Sequence, residues 1–232
     1  MTRHAALLFT DIVDSTRRTQ LLGDAAMAEV WTRHDRLARD LLAQFGGTEI
    51  DRTDGFLLLF GTVPAAVGYA LGYHRALESL DLAARVGVHA GPVALGENTP
   101  ADVARGAKRF WIDGTTKSVA SAVMALAAGR QTFLTEAARG ALGDSPWSEH
   151  FHGTWRVKGV AEPLGVFEVG ATRAPFTPPT EGSQAYQVVR DGPRWVPTRT
   201  SPTTCPRSTT PSWGAPRISS ASARASRKGL GW

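Results

Sequence analysis

The sequence predicts an α+β fold, in which helices pack against one mostly antiparallel sheet, followed by a disordered tail. Three observations support this prediction. Apolar residues recur at helical spacing over 25–45 and 63–80. Short apolar runs occur as neighbouring pairs, which favours hairpins over a doubly wound parallel sheet. From Pro175 onward Pro, Ser, Thr and Arg dominate and aliphatic periodicity fades, which is typical of a disordered segment.

The first half of the chain alternates predicted strands with predicted helices. Gly46 and Gly47 end the first long helix, because glycine readily takes the backbone conformations that follow a helix. An Asp-Gly pair between two short apolar runs indicates a hairpin, so Asp54 is expected in a tight turn. The predicted elements are a strand at 5–10, a short helix capped by 14–16, a helix at 25–45, strands at 48–52 and 56–60, a helix at 63–80, and strands at 84–90 and 92–95 that meet at Gly91.

The elements predicted for the second half are shorter. Residues 116–128 are rich in small side chains, so this helix is expected to pack closely on its neighbours. Further strands are predicted at 131–134, 155–158 and 165–169. The expected domain spans 1–171, and 172–232 are expected to form a linker and a disordered tail.

Composition and charge exclude several classes of function. The 232 residues carry a net charge of +5, but residues 1–171 hold 17 Lys and Arg against 19 Asp and Glu. Residues 172–232 hold 9 against 2, so the basicity lies in the tail and no nucleic-acid partner is expected for the domain. Cys205 is the single cysteine, which excludes an internal disulfide and gives no support to a zinc site. No apolar run reaches the roughly 18 residues of a membrane span, so a cytoplasmic protein without a membrane partner is expected.

Five short blocks follow one another along residues 5–170. They are FTDIVDST at 9–16, GGTEIDRTDGF at 46–56, ARVGVHAGPV at 84–93, KSVASAVM at 117–124 and VKGVAEP at 157–163. In this order they resemble the catalytic domain of class III adenylyl/guanylyl cyclases, of the type found N-terminal to ATPase and helical-repeat regulators. The resemblance implies a ferredoxin-like α+β core that pairs head to tail, as a homodimer or as a heterodimer with another cyclase domain.

The resemblance implies a nucleotide cyclase that makes a 3′,5′-cyclic nucleotide for intracellular signal transduction. It implies two Mg²⁺ or Mn²⁺ ions, bound by the carboxylates of Asp11 and Asp54 and by the backbone carbonyl of Ile12. Two carboxylates suit this task, because such ions prefer oxygen ligands and take further ones from substrate phosphates. Taken alone, Asp11 as a helix-start carboxylate and Asp54 as an ordinary turn residue are the competing interpretations.

Further groups are expected around the triphosphate. The backbone N–H groups of Val13, Asp14, Ser15 and Thr16 open a helix, where unpaired donors and the helix dipole favour phosphate. Lys158 matches a family lysine near the triphosphate, with a solvated strand-end lysine as the alternative.

The base-reading positions are altered. The segment before Asp54 is one residue shorter than in the family, so Asp51 or Arg52 stands where a base-selecting lysine is expected. Arg52 is accordingly a candidate base or phosphate contact. The second base-reading position falls on Trp111 or Asp113, so the base preference is not readable from these positions. ATP is expected over GTP as the substrate. His89 is expected to be structural.

The expected transition-state residues are missing. Active members carry an Asn and an Arg one helical turn apart, where this chain has Ser118 and Ala122. An alanine cannot stabilise charge on the α-phosphate, and loss of such a group lowers the rate by about 100-fold or more. The basic residues that could take the place of the missing arginine are Lys117, Arg130 and Arg156. The chain is therefore either a weak cyclase or an inactive cyclase-like module that binds nucleotide or a partner chain.

The tail carries a second resemblance. Residues 175–197 resemble the linker of cyclases that precede an ATPase module, and the resemblance stops near residue 198. Shifting the reading frame over 200–216 allows a sequence like the opening of such a module. This indicates a frameshift near 197–200, with a natural disordered tail and a nucleic-acid-binding arm as the alternatives.

Overall fold

The structure is a computed structural model, and it describes residues 2–171 and 175–198. These residues form one sheet with helices on both of its faces. The strands are β1 Thr2–Ile12, β2 Thr48–Arg52, β3 Phe56–Phe60, β4 Ala84–Glu97, β5 Phe110–Asp113, β6 Thr132–Thr135, β7 Ser148–Val157, β8 Leu164–Gly170, β9 Ala185–Asp191 and β10 Arg194–Pro197. The helices are α1 Ser15–Leu22, α2 Asp24–Gln44, α3 Val63–Glu78, α4 Pro100–Ala104, α5 Thr115–Leu126 and α6 Glu136–Leu142.

The sheet has the strand order β10-β9-β7-β8-β6-β4-β1-β3-β2, and β5 pairs with the far end of β4. Strand β1 lies between β3 and β4, with Leu8 opposite Leu58 on one side and Val88 on the other. The pair β4–β6 is parallel, and the other pairs described are antiparallel. The expected mostly antiparallel sheet is confirmed.

The two faces of the sheet are covered by different helices. Side chains alternate along a strand, and on β1 Ala6 and Leu8 join the core under α2, α3 and α6. Ala5 and Leu7 point the other way and join a second core with Ala120 of α5. An odd-numbered residue at the end of β1, such as Asp11, therefore lies on the α5 face.

Helix α5 lies directly on β4 because a glycine lets it approach. A Cβ on Gly87 would be 2.3 Å from the backbone nitrogen of Met124, closer than real atoms pack. The Thr116 hydroxyl adds a 2.6 Å hydrogen bond to the Pro92 carbonyl. The close packing expected of a small-residue helix is present.

Two parts of the chain differ from the sequence predictions. The strands predicted on either side of Gly91 are one continuous strand, β4, because Gly91 pairs with Ala5 of β1 without a turn. Residues 185–197 were expected in a linker, but β9 and β10 extend the sheet from β7. The sheet accordingly reaches Pro197, beyond the boundary expected at 171. Residues 199–232, with the frameshift hypothesis, lie outside the described residues.

No helix among the described residues is both long enough and apolar enough to cross a membrane.

Candidate functional site

The two candidate metal-binding aspartates start from neighbouring backbone positions. The β1–β3 register pairs Phe9 with Leu57, and its continuation brings Asp11 opposite Gly55. The approach is so close that a Cβ on Gly55 would lie 1.9 Å from the Thr10 carbonyl oxygen and 2.9 Å from the Cα of Asp11. Asp54 directly precedes Gly55 in the sequence, and its side chain is exposed. The fold thus brings together the two aspartates that are far apart in sequence.

A third charged residue belongs to this group and was missed at the sequence level. Arg85 lies opposite Asp11 on β4, and its Nε donates to Asp11 Oδ2 at 2.9 Å. Its Nη2 lies 2.7 Å from the same oxygen. Arg85 stands within the third sequence block, but only the β1–β4 register reveals its partner. A guanidinium at this place can stay on the carboxylate or move to a phosphate.

A buried layer beneath the site holds the strand ends in place. The Phe56 N–H donates to Thr10 Oγ1 at 2.9 Å, which fastens β3 to β1 beside Gly55. Nearby, His34 Nε2 lies 2.6 Å from the Tyr73 hydroxyl and joins α2 to α3. Burial lowers the pKa of His34 and raises the pKa of Tyr73. Both side chains are therefore uncharged near neutral pH, and they act in support of the fold.

The expectation for Val13 is wrong. Its N–H donates to the Ala83 carbonyl at 2.9 Å, so it is not available to a phosphate. Asp14 adopts the left-handed conformation with φ of 59°, and α1 begins after it at Ser15. The N–H groups of Ser15 and Thr16 lie in the first helical turn, where no partner exists within the helix. They stay candidates for phosphate binding, together with Asp14.

The geometry does not support the expected role of Arg52. Its Nη2 donates to Asp35 Oδ1 at 3.0 Å, and its guanidinium lies 5.4 Å from the ring centroid of Trp31. Both partners belong to α2, so this arginine is held on that helix. The alternative residue, Asp51, contacts Lys108 Nζ and accepts from the Arg52 N–H at 2.7 Å.

Lys158 lies far from the aspartates within one chain. It follows β7, and β8, β6 and β4 separate β7 from β1. Four strand spacings amount to about 19 Å. The fold therefore does not bring Lys158 to Asp11 within one chain.

The altered positions on α5 differ in their surroundings. Ser118 is exposed, whereas Ala122 is half-buried and packs against the core that contains Phe133 and Trp155. Of the candidate substitutes, Lys117 is exposed on the same helix.

The other two candidate substitutes are engaged elsewhere. Arg156 Nη1 donates to the Ala161 carbonyl at 2.6 Å, and Arg130 Nη1 lies 3.8 Å from Glu78. Neither contact involves the aspartates. Both arginines would have to leave these partners to serve a transition state.

The base-reading candidates lie on the β5 strand. Trp111 is 48% exposed and its ring lies against the backbone of Gly96, while Asp113 accepts from the Gly114 N–H at 2.8 Å. His89 is 2.7 Å from Thr135 Oγ1, and burial lowers its pKa to about 4. This environment fits the structural role expected of His89.

The residues present fit a substrate-dependent metal site. Within residues 2–171 and 175–198, His, Cys, Asp and Glu form no group of three or more able to bind a metal ion. Mg²⁺ is nonetheless commonly bound by one or two carboxylates completed by substrate phosphates. Asp11 and Asp54 supply these carboxylates, and Ile12 a backbone carbonyl.

No protein-family model and no curated protein matches this sequence. The fold does match solved structures. A structure of adenylate cyclases from Trypanosoma brucei in their monomeric state aligns over 76% of this chain and 92% of its own, with 19% identity and a TM-score of 0.65. The adenylyl cyclase CyaB from P. aeruginosa aligns over 75% and 97%, with 18% identity and a TM-score of 0.66. The guanylyl cyclase Cya2 aligns over 77% and 98%, with 21% identity and a TM-score of 0.65.

The chain therefore has the fold of class III adenylyl and guanylyl cyclase catalytic domains. This confirms the α+β fold expected from the sequence blocks. Identities this low establish the fold alone. They do not show the activity, substrate, metal content or pairing of this chain.

Proposed function

We propose that this protein is a nucleotide cyclase domain that acts as a dimer on a nucleoside triphosphate, with ATP favoured over GTP. In this reaction the 3′-hydroxyl oxygen bonds the α-phosphorus, its proton passes to solvent, and pyrophosphate leaves. The observation that carries the proposal is the packing of Gly55 on the Thr10 carbonyl, which brings the backbones of Asp11 and Asp54 together.

Each retained residue has a separate task in this proposal. Asp11, Asp54 and the carbonyl of Ile12 bind two Mg²⁺ or Mn²⁺ ions, which supply charge stabilisation on the attacking and leaving oxygens. The first turn of α1, at Ser15 and Thr16, donates N–H groups to the phosphates. Arg85 pairs with Asp11 before substrate arrives and so competes with the metal for this carboxylate. Lys158 serves the triphosphate of the partner chain.

An inactive module is the second candidate, and specific observations favour it. Ser118 and Ala122 offer no guanidinium, Arg156 donates to the Ala161 carbonyl, and Arg130 lies beside Glu78 with 3.8 Å between the closest charged atoms. A homodimer would lack the expected arginine at both of its sites. In this case the domain binds nucleotide without turnover, or completes a site together with a different cyclase chain.

The test measures product and nucleotide binding on the full chain. The protein is incubated with Mn²⁺ and ATP or GTP, and cyclic nucleotide is quantified beside triphosphate binding by calorimetry. Asp11→Asn and Asp54→Asn are expected to abolish metal-dependent binding and any product. Asp40→Asn, an exposed aspartate on α2, is the matched control and should behave as the parent.

The outcomes separate the candidates. Product that depends on Asp11 and Asp54 supports the enzyme, and its ATP-to-GTP ratio gives the base preference. Triphosphate binding that depends on both aspartates without product supports the inactive module. Triphosphate binding that survives in both variants contradicts the metal site. Absence of binding in the parent contradicts the enzyme and the module that binds nucleotide by itself.

A further inference from the structure

A cavity of about 590 Å³ lies between α3, the turn 128–131 and the segment 175–177, and is called the α3 cavity below. This volume falls within the range of about 300–1,000 Å³ that small-ligand sites occupy. Leu71 of α3, Trp147, Val169 and Pro175 form apolar walls. The cavity is separate from the Asp11 and Asp54 group.

Most polar groups at the floor of the α3 cavity satisfy one another, and the exception among the described lining residues is the buried His74 Nδ1, which has no partner. The buried Glu168 carboxylate accepts from Gln131 Nε2 at 3.1 Å and from the Thr177 N–H at 3.3 Å, and it lies 2.7 Å from His152 Nε2. Gln131 Oε1 accepts from the Ala128 N–H at 2.7 Å, and its Nε2 also donates to the Thr177 carbonyl at 2.7 Å. A ligand therefore gains most inside the cavity by presenting an apolar surface.

The mouth of the cavity carries a surplus of positive charge. Arg75 is exposed and forms no ion pair with any residue that the structure describes. Arg130 has only a long contact with Glu78, with 3.8 Å between Nη1 and Oε1. His74 also lines the cavity, and burial lowers its pKa to about 4, so its ring is neutral at pH 7. Among the described residues at the mouth, two arginines thus face the carboxylate of Glu78, while the second lining carboxylate, Glu168, lies at the floor beside His152.

We propose that the α3 cavity binds a small aromatic monocarboxylate. The ring lies inside against Leu71 and Trp147, where a flat apolar group excludes water and contacts the indole. The carboxylate lies at the mouth, where Arg75 and Arg130 supply guanidinium donors. A neutral ligand would form no ion pair with these two guanidinium groups, and the carboxylate of Glu78 would repel the second charge of a dianion.

Ligand binding in the α3 cavity can affect the proposed nucleotide site through the turn 128–131, which contacts both. The Arg130 N–H donates to the Ala84 carbonyl at 2.6 Å, directly before Arg85. A Cβ on Gly129 would lie 3.3 Å from Val13 Cγ2, so this glycine packs on the end of β1. This second step, in which the acid regulates nucleotide binding, rests on the proposed function.

The binding step is tested by calorimetry on the full chain without nucleotide or metal. Indole-3-acetate is titrated beside its neutral analogue indole-3-acetamide, which has nearly the same shape. The acid is expected to bind at least about fivefold more tightly than the amide, as for one partly exposed charge contact. Arg75→Glu should remove this difference. Arg36→Glu, an exposed arginine on α2, is the matched control and should preserve it.

Three results would overturn the binding step: no heat with the acid, equal affinity for acid and amide, or the same loss of the acid–amide difference in the Arg36 variant.

The regulatory step is tested by repeating the titration with Mn²⁺ and a non-hydrolysable ATP analogue. Coupling is reciprocal, so the affinity for the acid should then change by at least about threefold. An unchanged affinity would overturn regulation alone. Absence of nucleotide binding would overturn regulation and the proposed function, while the result for acid binding would stand.

Discussion

The proposed site has two regions, and they depend on the fold in different ways. At the end of β1, backbone packs on backbone, since Gly55 touches Thr10 and the Phe56 N–H bonds the Thr10 hydroxyl. On α5, Ser118 is exposed, whereas Ala122 is half-buried and packs against the core that contains Phe133. Backbone packing fixes the first region, whereas in the second an exposed position such as Ser118 can change with little effect on folding.

This difference explains how a cyclase fold can retain carboxylates and lack transition-state groups. Asp54 lies in a turn fixed by the close approach of its neighbour Gly55, so the position of the aspartate follows from the hairpin itself. Ser118 is exposed and contributes little to the core. The hairpin therefore fixes where the residue at position 54 lies, and under the proposed function we expect the residues on α5 to decide turnover.

The largest expected effect comes from filling the contact between β1 and the hairpin. Gly55→Ala places a Cβ 1.9 Å from the Thr10 carbonyl oxygen, so the strands must separate. We expect a loss of about 3 kcal/mol in the free energy of unfolding, and loss of Mn²⁺ binding. Urea unfolding and calorimetry measure these two quantities.

Gly61→Ala is the matched control, because no atom lies within 4 Å of its added Cβ. Its free energy of unfolding should change by less than about 0.5 kcal/mol. Equal stability of the Gly55 and Gly61 variants would contradict the view that the first region is fixed by backbone packing.

The second expected effect is gain of turnover on α5. Ala122→Arg restores a guanidinium where the family resemblance places one, and a preorganised charge of this kind is worth about 100-fold in rate. Cyclic nucleotide formed per minute from ATP or GTP with Mn²⁺ is the measurement. Because Ala122 packs against the core that contains Phe133 and Trp155, the larger side chain is also expected to lower the free energy of unfolding by about 1–3 kcal/mol, and urea unfolding is measured beside the rate.

Ala125→Arg makes the same substitution at an exposed position on the same helix and should leave the rate unchanged. If both variants gain turnover equally, added charge alone is responsible. If neither does so while nucleotide binding is intact, the assignment of Ala122 to the transition-state position is wrong.

The smallest expected effect concerns the charge balance at Asp11. Arg85→Ala removes the guanidinium that lies 2.7 Å from Asp11 Oδ2, so the carboxylate no longer has a competing cation. Without nucleotide, Mn²⁺ should bind about fivefold more tightly, as for a partly exposed ion pair. Calorimetry measures this affinity, and Arg18→Ala, which removes the ion pair with Asp81, should leave it unchanged. Weaker Mn²⁺ binding in the Arg85 variant would mean that Arg85 positions Asp11 for metal.

Much of the fold could be predicted from sequence because its signals are local. The spacing of apolar residues predicts α2 and α3, and the Asp-Gly pair predicts the hairpin that carries Asp54. The predictions failed where a remote partner decides the outcome. Gly91 suggested a turn, but pairing with Ala5 on β1 keeps β4 continuous. The composition of 172–198 suggested a linker, but β7 offers an edge on which β9 can form.

Signals within short segments, namely periodicity, turn residues and ordered blocks, were enough to predict the class of fold. They were also enough to select Asp11 and Asp54 as candidate metal-binding residues. Tertiary structure alone decided which groups are available to a ligand. It pairs Asp11 with Arg85 across 74 positions, directs Arg52 to Asp35 and Trp31 on α2, and uses the Val13 N–H in a bond to Ala83. The physical reason is that a charge or donor is satisfied by its nearest partner in space, which strand register and helix packing select.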